Sequence, residues 1–153
     1  MAKSRKRNVE RKGEFTVPAL TVDTAVDMGL GLLFGLNSNG EAVLADASKA
    51  IHAVGIVDKT STREFGAKFE FTSPEVLKKG EYIDVYTHCL VYADEIAKTS
   101  GVVVGDVVYL GVEGLLTTEK PTEVGHVAQV VGAVANAKKG IVRLAIMGRG
   151  EVV

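Results

Sequence analysis

The sequence has no tryptophan, one cysteine and three prolines among its 153 residues. A single cysteine excludes an intrachain disulfide, so the fold does not depend on an oxidising compartment. No apolar run approaches the roughly 20 residues of a membrane-spanning helix, and no apolar signal region follows the basic N-terminus. We therefore expect a protein that is made in the cytosol and does not enter a membrane.

Amide side chains are also scarce, with four asparagines and Gln129 as the only glutamine. Low amide content is a weak compositional mark of proteins from hot environments, and chance in a short chain is an equal alternative. Glycine is abundant instead, at 17 residues, which favours a fold with many tight turns. The length suits one domain that buries a substantial core.

Short β-branched runs, separated by glycine, asparagine, aspartate or proline, make up most of the chain. The strand candidates are residues 14–17, 32–36, 41–45, 52–57, 67–71, 82–92, 106–111, 115–118, 127–134 and 141–147. Asn39-Gly40 is a strong hairpin signal between two of them, whereas residues 24–28 and 74–79 suggest short helices. The pattern predicts an all-β fold, or a β-rich fold with one or two short helices, built as a small barrel or sandwich.

Charge is unevenly distributed along the chain. Residues 1–12 contain six basic side chains against Glu10 alone, a net charge of +5, so the remaining residues carry −6 of the total of −1. We predict a flexible basic N-terminal arm over residues 1–13, a single β-rich domain over 14–147 and a C-terminal tail over 148–153. The arm has three alternative interpretations. It binds nucleic acid, or it docks on an acidic protein surface or a sheet edge, or it only makes the chain more soluble.

No pattern typical of a catalytic, cofactor or metal site is present. The glycines at 29, 31 and 35 miss the dinucleotide fingerprint by one residue and lack its strand–turn–helix context. His88 and Cys89 point to opposite faces of a strand, and the histidines lack zinc-ligand spacing. His52 and His126 begin two similar segments, from a decayed duplication or from shared turn chemistry. We expect no enzyme, no cofactor and no metal.

The second half carries a series of strand and turn motifs. These are Val104-Gly105-Asp106-Val-Val-Tyr109-Leu, a hairpin at residues 114–118, Gly125-x-Val127-x-Gln129-Val-Val-Gly132-x-Val134, and Gly140 before a final apolar strand. The first half adds Phe34-Gly to Leu44-Ala, Ala53-Val-Gly55-Ile-Val57, and Gly80 before an extended strand. Over residues 14–147 this pattern resembles the capsid decoration (head-stabilising) proteins of tailed bacteriophages.

The resemblance implies a structural virion protein that binds the outer surface of the phage head and stabilises the lattice of the major capsid protein. Its partners would be the major capsid protein and two further copies of itself, in a homotrimer at threefold and quasi-threefold positions. It implies no small-molecule substrate and no direct contact with nucleic acid, because the protein lies outside the shell. The scarce amides would suit a phage of a thermophilic host.

The resemblance also gives the N-terminal arm a role in docking to the capsid. The residues expected to take part are Lys3, Arg5, Lys6, Arg7, Arg11, Lys12, Phe15 and Val17. Three alternatives stay open. They are a small β-barrel nucleic-acid-binding protein that uses the basic arm, a trimeric β enzyme that acts on nucleotides, and a tail or fibre component of the phage particle.

Overall fold

The computed structural model describes residues 14–16, 32–57 and 84–153. Within these ranges the strands are β1 (Glu14–Thr16), β2 (Leu33–Leu36), β3 (Ala42–Leu44), β4 (Gly55–Val57), β5 (Asp84–Tyr86), β6 (His88–Tyr92), β7 (Val107–Leu110), β8 (Leu116–Thr117), β9 (Val127–Ala128), β10 (Val130–Asn136), β11 (Ile141–Ala145) and β12 (Glu151–Val152). The predicted strand at 67–71 and the predicted helices at 24–28 and 74–79 lie outside the described residues.

The strands form antiparallel sheets. One five-stranded sheet has the order β1-β5-β4-β2-β3, a second has the order β6-β11-β10-β7-β8, and β12 pairs with β9 in a small third sheet. The prediction of a β-rich fold is therefore confirmed. Over the described residues the two large sheets are open and do not close into a barrel. Of the two predicted architectures, barrel and sandwich, the structure is therefore more similar to a sandwich.

Two segments that the sequence pattern predicts as single strands are each divided in the structure. Residues 82–92 divide at Thr87, so that β5 belongs to the first sheet and β6 to the second. Residues 127–134 divide at Gln129, so that β9 pairs with β12 while β10 pairs with β7 and β11. At Gln129 the alternation continues, because Val127, Gln129 and Val131 are all buried. At Thr87 it reverses, because Tyr86 is buried whereas Leu90 and Tyr92 are exposed, so the change of sheet turns the residues of opposite parity toward the core.

The two large sheets share one apolar core. Its buried side chains from the first sheet are Leu33, Ile56 and Tyr86, and those from the second are Val108, Leu110, Leu116, Val131, Val134, Val142 and Leu144. Ile96 of the short helix α1 (Asp94–Ala97) joins them. The sequence pattern misses α1 because four residues are too few for a helical period. No helix in the described part of the chain has the length and apolar character needed to cross a bilayer.

Gln129 links three separate parts of the chain. Its side chain is 1% exposed and lies at the break between β9 and β10. The carboxamide oxygen accepts a hydrogen bond from the Ala53 backbone N–H at 2.7 Å, and the carboxamide nitrogen donates to the carbonyl oxygens of Ala53 and Gly148, both at 2.8 Å. The carboxamide thus substitutes for a neighbouring peptide group, and it satisfies the buried N–H and carbonyl of Ala53, which would otherwise have no partner there.

A second junction joins the first sheet to the turn between β7 and β8. Gly114 donates to the Ala45 carbonyl at 2.7 Å and accepts from the Leu33 N–H at 2.9 Å. Its φ of +76° is unfavourable for other residues, and a Cβ there would lie 2.7 Å from the Leu33 carbonyl oxygen. Glycine is therefore required where this turn contacts β2.

Asp46 supports the same junction from the first half of the chain. Its buried carboxylate accepts hydrogen bonds from the Ser48 hydroxyl and N–H, at 2.6 and 2.9 Å, and from the Glu113 N–H at 3.2 Å. Burial raises the pKa of this carboxyl, but the hydrogen bonds from Ser48 and Glu113 and the charge of Lys49 outweigh it and leave the pKa lowered. The carboxylate is therefore structural and stays ionised near neutral pH.

We expect Gln129→Met to lower the free energy of unfolding by about 2–4 kcal/mol, because the buried backbone N–H and carbonyl of Ala53 lose their partners. Urea unfolding of both proteins measures the change. The matched control is Val130→Met, since Val130 is exposed and adjacent, and its effect should stay within about 0.5 kcal/mol. Equal stability losses in the two variants would contradict this role for Gln129.

Candidate functional site

The predicted docking residues of the N-terminal arm lie almost entirely outside the described part of the chain. These are Lys3, Arg5, Lys6, Arg7, Arg11, Lys12 and Val17. Phe15 is the exception, because it lies in β1, where its backbone pairs with Val85 of β5. That pairing places Phe15 at an edge of the first sheet. The docking role of the arm stays a prediction.

A different surface is formed by the side of the second sheet that points away from the core, which we call the outer face. On β11 the exposed Arg143 alternates with the buried residues of the core. Leu90 of β6 lies opposite Arg143 on one side and Ala133 of β10 lies opposite it on the other, with Val107 of β7 next in line. Directly opposed residues share a face, so these four side chains form one row across four strands.

The outer face is apolar and exposed along β6. Leu90 is 61% exposed, Tyr92 is 79% exposed, and Val107 on the far side of the row is 43% exposed. Isolated apolar side chains on a surface are ordinary, but several on one face of a sheet mark a surface that another molecule covers. With His88, Ile141 and Ala145 at the neighbouring register positions, the outer face is a candidate protein-binding surface.

Arg143 lies near the centre of this face. No carboxylate in residues 32–57 or 84–153 lies within ion-pair distance of its guanidinium, and the described ion pair is the one between His126 and Glu123 at 3.2 Å. The other outer-face residues named here include no carboxylate, lysine or second arginine. A guanidinium surrounded by apolar side chains favours a partner that supplies a carboxylate.

The outer face ends at the edge strand β6. The Ala93 N–H donates to the Gly140 carbonyl and the Ile146 N–H donates to the Thr87 carbonyl, so the odd-numbered residues of this segment direct their peptide groups toward β11. In an antiparallel pair the peptide groups alternate, so those of His88, Leu90 and Tyr92 point the other way. Among the described strands none pairs with this outer edge.

The C-terminal residues form a second feature, which the sequence pattern does not predict as a strand. The Gly150 N–H donates to Nδ1 of His52 at 3.0 Å, and the Val153 N–H donates to the His126 carbonyl at 2.8 Å. Glu151 and Val152 pair with Ala128 and Val127. His52 and His126, which begin the two similar segments of the sequence, therefore both hold the C-terminal segment in place.

A cleft of about 520 Å³ opens beside this segment. Its walls are mainly apolar, and the polar groups at its lining are His52 and Arg149. None of the lining residues in the described part of the chain is a carboxylate, and Nδ1 of His52 is already engaged by Gly150. Among the described groups, therefore, His52 does not form the histidine–carboxylate pair that is typical of acid–base catalysis.

The pKa of His52 is lowered from its usual value, first because burial disfavours the charged ring and second because Arg149 is positively charged. Acceptance of the Gly150 N–H by Nδ1 requires the neutral ring at that nitrogen, which agrees with the lowered pKa. The neutral form therefore supports the docked C-terminal segment.

Within the described ranges no three histidine, cysteine, aspartate or glutamate side chains are grouped so that they could hold a metal ion. No protein-family model matches the chain, and a search of curated proteins finds no match either. The resemblance to capsid decoration proteins therefore depends on the motifs of this sequence. What the described geometry adds is a surface suited to binding another protein.

The docking residues predicted from the sequence lie in the arm, and Leu90, Tyr92 and Arg143 are not among them. A signal was present, because residues 89–92 are apolar at every position rather than at alternate ones. A strand with one solvated face normally carries polar residues on that face. Apolar residues at both parities therefore indicate either a doubly buried strand or a covered surface, and the periodicity alone does not distinguish the two.

We expect the stability of the wild type to depend on the protonation of His52. Its folded pKa lies below the ordinary value of 6.5, so its contribution is complete above that pH and is lost as the pH falls toward the folded pKa. His52→Asn keeps an acceptor for the Gly150 N–H but does not titrate. The wild-type free energy of unfolding should therefore fall relative to that of His52→Asn between about pH 8 and about pH 5.

Denaturant unfolding at several pH values measures this difference, with His88→Asn as the control substitution at an exposed histidine. A wild-type-minus-variant difference for His52 that stays constant over the pH range would contradict the assignment.

Proposed function

We propose that this protein is a structural virion protein that binds the outer surface of a tailed-phage head and stabilises the lattice of the major capsid protein. It acts as a homotrimer at threefold and quasi-threefold positions. The observation that carries the proposal is the outer face, where exposed apolar side chains of the second sheet stand in one row around Arg143. A protein whose purpose is to bind other subunits needs such a surface and needs no catalytic group.

Several of the second-half motifs that carry the family resemblance lie in the second sheet or in its junctions with the first half of the chain. Asp106 accepts a hydrogen bond from the Val103 N–H at 3.0 Å in the turn that leads into β7. Gly114 and Gln129 make the two junctions between this sheet and the first half of the chain. These motif residues thus hold a rigid platform together, which is the property that a clamp between capsid subunits requires.

Charge supports an acidic binding surface on the capsid. The arm carries a net charge of +5 and the outer face carries Arg143. Each single contact is small, but a trimer repeated over a lattice multiplies it, because binding at one site raises the effective concentration at the next.

Nucleic-acid binding by the basic arm is the second candidate, and the arm's charge is the observation that favours it. Residues 1–12 contain no aromatic side chain that could stack on bases. An apolar sheet face also does not suit a phosphate backbone. A salt-sensitive shift of DNA that is lost with the arm would support this candidate.

We expect removal of residues 1–13 to abolish binding to phage heads that lack their decoration protein, while the fold and the oligomer stay intact. The physical reason is that the arm supplies most of the positive charge for docking on an acidic surface. Co-sedimentation with heads measures occupancy. Circular dichroism and light scattering report the fold and the mass of the truncated protein.

The matched control is the full-length chain with the six basic residues of the arm replaced by glutamine, which separates charge from chain length. Unchanged head occupancy by the truncated protein would contradict the role of the arm.

We expect light scattering on the purified full-length chain to give three times the chain mass of 16.2 kDa. Symmetric self-association is the basis of this expectation, since the lattice positions proposed have threefold symmetry. A monomer at all concentrations tested would contradict a trimer that forms before it binds the capsid.

A further inference from the structure

The outer edge of β6 has the properties of a strand-addition site. The peptide groups of His88, Leu90 and Tyr92 point away from β11, and no described strand pairs with them. Exposed edges normally carry a proline, a lysine, a bulge or a covering segment that prevents pairing with other chains. β6 contains neither proline nor lysine, and its five-residue register with β11 has no bulge. Within the described part of the chain this edge is therefore open and regular.

The side chains beside the edge define what an added strand would contain. Leu90 and Tyr92 are exposed on the outer face, and Val91 packs against the core on the other side. An added strand would continue both faces of the sheet, so apolar side chains are favoured at its alternate positions. Arg143 stands one strand away from Leu90, and roughly 9.5 Å, two strand spacings, would separate its backbone from the added strand. Long arginine and glutamate side chains span that gap.

We propose that the outer edge of β6 accepts an extended segment of the major capsid protein as an additional strand. The segment carries apolar residues next to Leu90 and Tyr92 and a carboxylate that pairs with Arg143. This inference rests on the proposed function and goes further, because it assigns the docking site on the β-rich body and the chemistry of the segment that binds there.

Charge argues against two other possible occupants of this edge, which are the chain's own N-terminal arm and a second copy of the chain. The chain's own arm has a net charge of +5 and would bring like charge toward Arg143. A second copy paired edge to edge around Leu90 would place two Arg143 residues in the same row with no carboxylate between them. An acidic and apolar segment from the capsid shell satisfies the edge, the apolar face and the guanidinium together.

The test is head binding by three full-length variants. Leu90→Thr/Tyr92→Thr removes the apolar contacts but keeps strand-forming residues, and Arg143→Glu reverses the charge. We expect each to lower head affinity by about tenfold or more, as loss of a central contact does. The controls are Val124→Thr, at a position 91% exposed in a turn, and Lys138→Glu, an exposed charge reversal. The third variant, Leu90→Pro, removes one outward N–H and should also weaken binding.

Amide exchange distinguishes strand addition from a simple face contact. On binding to heads, the N–H groups of His88, Leu90 and Tyr92 should exchange more slowly, whereas those of Cys89 and Val91 should be protected already. Exchange is quenched on the heads and read after release. Unchanged exchange at the three outward amides would overturn the proposal.

Two further outcomes would also overturn it. In the first, the wild type binds heads and the variants bind them with the same affinity. This result would leave the proposed function intact. The other is loss of the oligomer in the variants, which would make this edge an interface between copies of the chain. Failure of the wild type itself to bind heads would instead overturn the proposed function and this inference with it.

Discussion

The buried carboxamide of Gln129 is the contact on which the arrangement of the described chain depends. It makes three hydrogen bonds to the backbone of Ala53 and Gly148, and in this way joins the first half of the chain, the second sheet and the C-terminal segment. A buried amide is stabilising only when all of its groups are paired, and this one completes a ladder that no strand supplies. The only glutamine of the sequence therefore has the role of a missing peptide group.

The division of the strand at this residue has consequences on both sides. β9 turns away to pair with β12, while β10 stays in the second sheet between β7 and β11. Gly114 and Asp46 form the second junction between the two halves of the chain, at the turn between β7 and β8. With the inner sides of both sheets joined in one core, the second sheet has its other side, the outer face, directed away from the protein.

The two faces of the second sheet have different roles, which suits a protein that acts by binding other molecules. The inner face supplies rigidity from buried aliphatic side chains, and the outer face presents apolar side chains around one guanidinium, beside an edge with which no described strand pairs. Such a surface is an aggregation hazard in an isolated domain unless a partner covers it. The proposed capsid function gives it that partner, and the basic arm would add charge attraction from a separate part of the chain.

The sequence by itself determined the β-rich class and the hairpin around Asn39-Gly40, because turn chemistry and side-chain alternation are local properties. It did not determine that residues 82–92 change sheets at Thr87, that Gln129 interrupts a strand, or that Glu151–Val152 pairs with β9. Those features depend on which distant backbone comes alongside, such as Ala53 beside Gln129 across 76 residues. The exposure of Leu90 and Tyr92 also could not be predicted from the sequence. Only the tertiary structure decided that these apolar side chains face solvent and not a second layer.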